Sequence, residues 1–427
     1  MRVGRSGMTG PSAPEQCVIL VGGLGTRLGA LTGGLPKPLT TVGGRPFLAY
    51  LLWHARRFGF RRVLLLAGHR GEAVRQFATD PHWTEGLDVE VVVEPEPLGT
   101  GGALRNAVDR LDERFLLLNG DSLFDFNWLD LQALAIDHPG NPVAMSLRHE
   151  PDASRFGVVE RDGERVIGFS ERGDARGGAI NGGVYLLRRE VAAACPDHGS
   201  FERDVLPKLA AENRLVGRPQ QGFFLDIGIP AALEAAQTLT PASTRRGAVF
   251  FDRDGVLNVN HGYIHRWDQF EWVEGAAEAV KLANDRNLFA FLVTNQSGVA
   301  RGYYEEAAIH VLHEEMQRAL RAMGAHLDDI RYCPHHPEGV IPKYARASDW
   351  RKPEPGMILD LARHWPVDME RSVLIGDNTS DLEAAAAAGI AGRLFESGRL
   401  DRALEDGLSP TPARPNRGTD QSRRLTT

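Results

Sequence analysis

Residues Val249 to Asn258 read V-F-F-D-R-D-G-V-L-N. Val249, Phe250 and Phe251 form an apolar run of the kind that ends a buried parallel strand. Asp252 and Asp254 come at once after it, and Gly255 lets the chain turn away. Acids on alternate residues just past a strand lie in the crevice where open α/β sheets bind ligands. Such a pair suits Mg²⁺, a hard cation, with one acid attacking phosphorus. A bare D-x-D-G also describes a solvated turn, and residues nearer the C-terminus decide between the two.

Phe289 to Val293 is a second apolar run, ending in Thr294-Asn-Gln-Ser-Gly298. Arg351-Lys352-Pro353 brings a lysine, and Ser372 to Ile375 is another strand ending in Gly376-Asp377, with Asp381 four residues on. An attacking acid (Asp252), an acid/base (Asp254), a hydroxyl donor (Thr294), a lysine (Lys352) and a metal-binding acid (Asp377) are the parts of a phosphoryl-transfer site. All sit at strand ends or in loops, where one crevice gathers them. This half resembles the haloacid dehalogenase superfamily from about Gly247 to Glu396. Within it, D-R-D-G-V-L-N, H-G-Y, T-N-Q-S-G-V-A-R-G, C-P-H-H-P and R-K-P-x-P-G-M resemble the D-glycero-D-manno-heptose-1,7-bisphosphate 7-phosphatases. Histidinol-phosphate phosphatases share part of the pattern. The resemblance implies that Asp252, Asp254 and Asp377 hold Mg²⁺ and that Asn295, Gln296, Arg301 and Arg351 contact substrate.

In the other half, Cys17 to Val21 reads as a buried strand that runs into Gly22-Gly-Leu-Gly-Thr-Arg-Leu28. Glycines there allow backbone N–H groups to approach phosphate oxygens, although a plain tight turn has the same look. Lys37 lies between two prolines. Glu96 to Gly102 reads E-P-L-G-T-G-G, and the strand Phe115 to Leu118 ends in Asn119-Gly-Asp121. With Ile180 to Tyr185, Ser200 to Asp204 and Phe224 to Gly228, this set resembles the sugar-1-phosphate nucleotidyltransferases, most closely the D-glycero-α-D-manno-heptose-1-phosphate guanylyltransferases. The family implies a triphosphate cradle of Gly22, Gly23, Gly25, Thr26 and Arg27, completed by Gly99, Thr100 and Gly101. It places Lys37 at the reacting phosphates, Mg²⁺ on Asp121 and Asp226, and the sugar at Asn181, Gly182, Glu171 and Arg172. Val21 replaces the usual alanine and Arg172 the usual lysine, and an arginine fork is not a lysine point charge. His54, His69 and His82 read as surface or helix residues, not ligands.

The expected architecture is therefore α/β with two domains. A mobile leader (1–15) precedes a Rossmann-like, glycosyltransferase-A-like nucleotidyltransferase domain (16–238). A linker (239–246) joins it to a haloacid dehalogenase-like domain (247–400), followed by a disordered tail (401–427). Helices are predicted over 274–287 and 305–323. The chain of 427 residues is 42% hydrophobic and 25% charged, with net charge −7 and three cysteines. Those values fit a cytoplasmic enzyme without a disulfide framework, a nucleic-acid surface or a membrane span. They leave the oligomeric state open. The partners expected are small molecules: heptose phosphates and a nucleoside triphosphate.

Relatives of the phosphatase half commonly carry a structural zinc on a Cys-x-His pair and a later Cys-x-Cys. Cys333 and His335 remain here, but the later pair has become Ser348 and Trp350. Serine is a poor zinc ligand and indole is none, so no structural zinc is expected unless His336 and Asp349 complete the set. Trp350 is instead expected to pack against the loop from Pro334 to Pro342. Rival readings keep both chemistries with another sugar or base, or make the N-terminal half a nucleotide sensor.

Overall fold

The computed structural model describes residues 13–23, 28, 32–154, 157–170 and 177–408. Gly25, Thr26, Arg27, Glu171 and Arg172 lie outside the described residues, as do most of the leader and the end of the tail.

A nine-stranded sheet organises the N-terminal half, in the order Asp88–Val93, Arg62–Ala67, Gln16–Leu20, Arg114–Asn119, Gly178–Arg188, Val143–Glu150, Leu215–Pro219, Arg165–Ser170 and Val158–Asp162. Gln16–Leu20 pairs in parallel with strands on both sides. Its residues Cys17, Val18 and Ile19 are fully buried, which is why it reads as an unbroken apolar run. A separate two-stranded ladder pairs Ser122–Asp125 with Phe223–Asp226. The C-terminal half is a five-stranded, all-parallel sheet ordered Asp329–Cys333, Phe289–Asn295, Ala248–Phe251, Val373–Gly376 and Ala391–Leu394. Helices Ala276–Asp285 and Glu306–Ala322 cover it, each burying one apolar stripe.

Two boundaries differ from the sequence reading. The helix Pro230–Ser243 runs through most of the expected linker, because Thr240 and Leu233 turn inward while Pro241 leaves the preceding turns intact. Arg246, at the end of that stretch, is buried. Leu400–Leu408 is a helix where the tail was expected to start, with Leu400 and Leu404 docked on the core beside Ala276 and Val280. Short amphipathic ends of this kind are hard to read because two buried leucines carry the whole signal.

The halves meet over a buried polar junction. Arg57 donates to Asp328 at 2.5 Å and to the Leu288 carbonyl at 3.3 Å. Asn127 donates to Asp285 and to the Gly324 carbonyl, each at 2.8 Å. Lys281 reaches Asp130 at 2.7 Å. Arg321 donates to the carbonyls of Phe58 and Pro14. Trp53, Phe289 and Trp365 stack their edges across the same junction. His54 lies on a helix, as expected, but is buried here beside Asp125.

Candidate active sites

The first site opens at the carboxyl ends of Gln16–Leu20 and Arg114–Asn119. A cavity of about 340 Å³ is lined by Gly22, Gly23, Lys37, Gly99, Thr100 and Asp121, among others. Gly22 is tightly packed, since a Cβ there would come 3.0 Å from the Gly68 nitrogen and 3.2 Å from Glu94, and would need both to give way slightly. Asp121 and Asp226 come together because Ser122 and Asp226 are opposite each other in the two-stranded ladder. The Ile227 N–H donates to the Asp121 carbonyl at 3.0 Å and closes the register. Lys37 Nζ lies 2.6 Å from Asp121 and 4.0 Å from Asp226. Asp121 lines the cavity and Asp226 does not, but the two acids share Lys37. A pair of this kind suits Mg²⁺, which takes few protein carboxylates and completes its shell with phosphate and water.

Gly101, Asn181 and Gly182 do not line this cavity, and Thr100 lines it with its hydroxyl engaged by the protein. Gly101 donates its N–H to the Gly199 carbonyl at 2.9 Å and does not line the cavity, so its role is packing. The Thr100 hydroxyl donates to Glu202 at 2.7 Å and accepts from the Phe201 N–H. Asn181 and Gly182 occupy a bulge of Gly178–Arg188, outside that cavity. The Asn181 amide is engaged at both ends, by the Tyr185 hydroxyl and the Gly183 N–H. Glu94 and Glu202, which also line the cavity, were missed. Isolated glutamates leave no spacing signal.

The second site gathers Asp252, Asp254, Thr294, Asn295, Gln296, Lys352, Asp377 and Asp381 around a cavity of about 290 Å³. Asp252 follows the central strand, Thr294 ends its neighbour on one side and Asp377 its neighbour on the other. Lys352 comes from a loop mounted by reciprocal bonds with Asn295, at 3.0 and 3.1 Å. Its ammonium is buried, 2.7 Å from Asp252 and 2.5 Å from Asp381. Gly255 is held at φ +94, and a Cβ there would fall 2.0 Å from Asp377. No side chain fits that turn.

Charge makes this cluster unusual. Asp252, Asp377 and Asp381 offer ligand oxygens within 4.8 Å of one another, the one such group of three among the described residues. Burial pushes Asp252 up to about 6, against the pull of Lys352 and helped by Asp381. Burial and Asp381 also raise Asp377. For Lys352 burial opposes the charge, but Asp252 and Asp381 hold it above its ordinary range. Three carboxylates facing one lysine are under-neutralised, and a divalent cation supplies the missing charge. The residues fit Mg²⁺.

Asp254 does not belong to that metal cluster by its side chain. Its carboxylate accepts from Arg253, Gln296 and Asn258 instead. Asp381 does belong, and its signal was the spacing from Asp377 that starts a helix, where it also closes a capping box with Asn378. Gln296 lines the cavity but directs its amide to Asp254 and Thr294. Arg301 and Arg351 do not line it. They turn toward the 335–338 loop, where Arg301 meets His336 at 3.3 Å and Arg351 donates to the His335 carbonyl at 3.5 Å. Those contacts leave Arg301 Nε buried without a hydrogen-bond partner.

A family profile described as nucleotidyl transferase matches residues 16–242, and one described as HAD-hydrolase-like matches residues 349–418. A D-glycero-beta-D-manno-heptose-1,7-bisphosphate 7-phosphatase of Rhodopseudomonas palustris is 49% identical over 163 residues, 38% of this chain and 91% of that protein. The chain belongs to the nucleotidyl transferase family and, by its C-terminal half, to the heptose-bisphosphate phosphatase family. This nucleotidyltransferase–phosphatase is a bifunctional enzyme of two α/β domains. The phosphatase of Thermosynechococcus vestitus is 45% identical, over 38% of this chain and 84% of its own. The crystal structure of HddC from Yersinia pseudotuberculosis is 30% identical to the nucleotidyltransferase–phosphatase, with a TM-score of 0.48, covering 53% of this chain and 99% of that one. No helix among the described residues is long and apolar enough to cross a membrane.

The loop that carries Cys333 and His335 makes several contacts within the protein. Cys333 is buried, and among the described residues no set of three metal-ligating side chains includes it. Glu306 accepts from the hydroxyls of Tyr332 and Tyr344 and from Lys343. Val340 and Ile341 both donate to the Ala300 carbonyl. Trp350 packs on the core cluster that contains Cys333 and Met357 and lines a pocket with Pro334 and His335 of the proline-rich loop.

Proposed function

We propose that the C-terminal domain removes the 7-phosphate of D-glycero-D-manno-heptose 1,7-bisphosphate and that the N-terminal domain joins the resulting heptose 1-phosphate to a nucleotide, GMP from GTP. The observation that carries the reading is the position of Asp252, at the end of the central strand with Lys352 at 2.7 Å and Asp254 two residues on. The relatives' names supply the sugar, and the guanylyltransferase resemblance supplies the base.

In the phosphatase, a carboxylate oxygen of Asp252 attacks phosphorus. The phosphorus–oxygen bond to the sugar breaks as Asp254 gives its proton to the leaving oxygen. Water then loses a proton to Asp254 and attacks the aspartyl-phosphate, releasing inorganic phosphate and restoring Asp252. Thr294 and Lys352 meet the charge on the phosphoryl oxygens. In the transferase, a phosphate oxygen of heptose 1-phosphate attacks the α-phosphorus and pyrophosphate leaves. Lys37, with Arg27 by resemblance, binds and neutralises the phosphates, so no protein nucleophile is needed. Mg²⁺, on Asp121 and Asp226 in one site and on Asp252 and Asp377 beside Asp381 in the other, supplies further charge neutralisation. The enzyme is assigned to the cytoplasm, where both substrates would be met.

The test is purified protein with heptose 1,7-bisphosphate in both anomeric forms, Mg²⁺ and each of the four common nucleoside triphosphates. Faster turnover with ATP, CTP or UTP than with GTP overturns the base. The guanylyltransferase resemblance favours the α anomer, whereas the Rhodopseudomonas relative is named for the β anomer. Opposite preferences in the two domains would break the proposed sequence of reactions.

A further inference from the structure

Arg253 stands between the two acids of the phosphatase, and its side chain is fully buried, among the largest in the molecule to be so. Its Nε and Nη2 fork onto the Asp254 carboxylate, Nε to Oδ1 at 3.3 Å and Nη2 to Oδ2 at 3.0 Å; Nη2 also donates to the Ile264 carbonyl at 2.6 Å and lies 3.1 Å from Gln296 Oε1. Nη1 faces His313 Nε2 at 3.4 Å, on a histidine that burial and Arg253 keep neutral. A buried guanidinium is costly unless paired and hydrogen-bonded. The carboxylate within ion-pair distance of it, among the described residues, is that of Asp254.

The second partner gives the arrangement its meaning. Ile264 is buried at the root of a loop whose Asn260, Gly262 and Tyr263 line the phosphatase cavity. Tyr263 is held at φ +50, a conformation costly for a bulky residue, with its ring edge-on to Tyr303 at 4.5 Å. His265 stacks on Tyr304, whose hydroxyl donates to Gln296, and Gln296 donates in turn to Asp254. The loop over the cavity mouth and the acid–base carboxylate thus meet on one cation.

We propose that Arg253 is a positioning residue that holds the Asp254 carboxylate and the 260–265 loop in one fixed relation. The inference rests on the acid–base role of Asp254. An alkyl leaving oxygen must be protonated as its bond to phosphorus breaks, whereas p-nitrophenolate leaves without a proton. Misaiming Asp254 therefore slows release of a sugar far more than release of p-nitrophenol. A lysine at position 253 keeps the charge but cannot address these acceptors from one planar fork.

The experiment measures single-turnover leaving-group release by the full-length chain, from heptose bisphosphate and from p-nitrophenyl phosphate. Nucleotidyl transfer by the same sample reports folding. Arg253→Lys should slow sugar release by about 10- to 100-fold and p-nitrophenol release by less than about threefold. Asp254→Asn should show the same bias. If Asp254→Asn discriminates between leaving groups but Arg253→Lys slows both equally, or neither, the positioning role is overturned. If Asp254→Asn does not discriminate, its acid role fails and the inference falls with it. Should Arg253→Lys lose nucleotidyl transfer, Arg253→Gln, which keeps amide donors without charge, is measured against the same outcomes.

Discussion

Arg246 grips Asp125 across the domain junction with both arms of its guanidinium, Nη2 to Oδ2 at 2.6 Å and Nη1 to Oδ1 at 3.2 Å. Both side chains are buried. Asp125 ends the strand that starts beside Asp121, and Arg246 stands two residues before the strand that leads into Asp252. One ion pair therefore joins the segments that carry the two active sites. Removing one member of such a pair leaves a buried charge, at about 3–5 kcal/mol. Arg246→Ala should lower the unfolding midpoint of both domains together in calorimetry. An unchanged midpoint, or loss confined to one domain, contradicts the shared junction.

Acid should open the same junction. Burial lowers His54 to about 3 despite Asp125 nearby, because Arg246 and Arg57 already answer that carboxylate. Burial also lowers His326. Unfolded, both histidines bind protons below about 6.5. Their folded pKa values are depressed, so the unfolded state binds more protons below that pH and stability falls as the pH drops. For His54 the loss approaches about 1.4 kcal/mol per pH unit, and His326 adds to it in the same direction. Asp328, where burial opposes the charge but Arg57 prevails and brings it down to about 2, adds a further loss only below about 3.8. Urea titrations at pH 7 and pH 5 should differ by about 2 kcal/mol or more, and His54→Gln should shrink the difference. Equal midpoints at both pH values would sink the argument.

The two chemistries should separate by single changes despite the shared junction. Asp252→Asn should reduce phosphate release on the order of 10³-fold or more and leave pyrophosphate release from heptose 1-phosphate intact. Asp121→Ala should do the reverse, by about 100-fold or more, through loss of a metal ligand. A folded variant in which either change removed both activities would contradict two independent sites.

The 334–350 loop should keep its order without zinc. Protein purified without a metal-binding tag is expected to contain far less than one zinc per chain. Trp350→Ala should lower phosphatase turnover several-fold, since the loop it anchors delivers Lys352. A stoichiometric zinc that survives chelation and is lost in Cys333→Ser overturns this prediction.

The strand-end acids were legible because they follow apolar runs that must be buried. Val249 to Phe251 and Phe289 to Val293 form adjacent parallel strands, and parallel strands bring residues far apart in sequence to one edge. Lys352 was legible as a residue type at a plausible place, but its bridge from Asp252 to Asp381 needed the loop mounted on Asn295. Arg301 and Arg351, expected at the substrate, lie off the cavity for a related reason. Charge can be read from composition, whereas the direction of a long side chain is set by the nearest acceptors after folding.

By itself, then, the chain's sequence determined two α/β domains, two phosphate chemistries and most of the groups proposed to perform them. These depend on strand periodicity and on residues lying within a few positions of a strand end. The tertiary structure alone decided how the halves join, which acid faces the metal cluster and which faces Arg253, and what holds the loop around Cys333. Those outcomes depend on contacts between segments up to hundreds of residues apart, such as Arg57 with Asp328. Burial there changes the energy of a charge by more than any local sequence preference does.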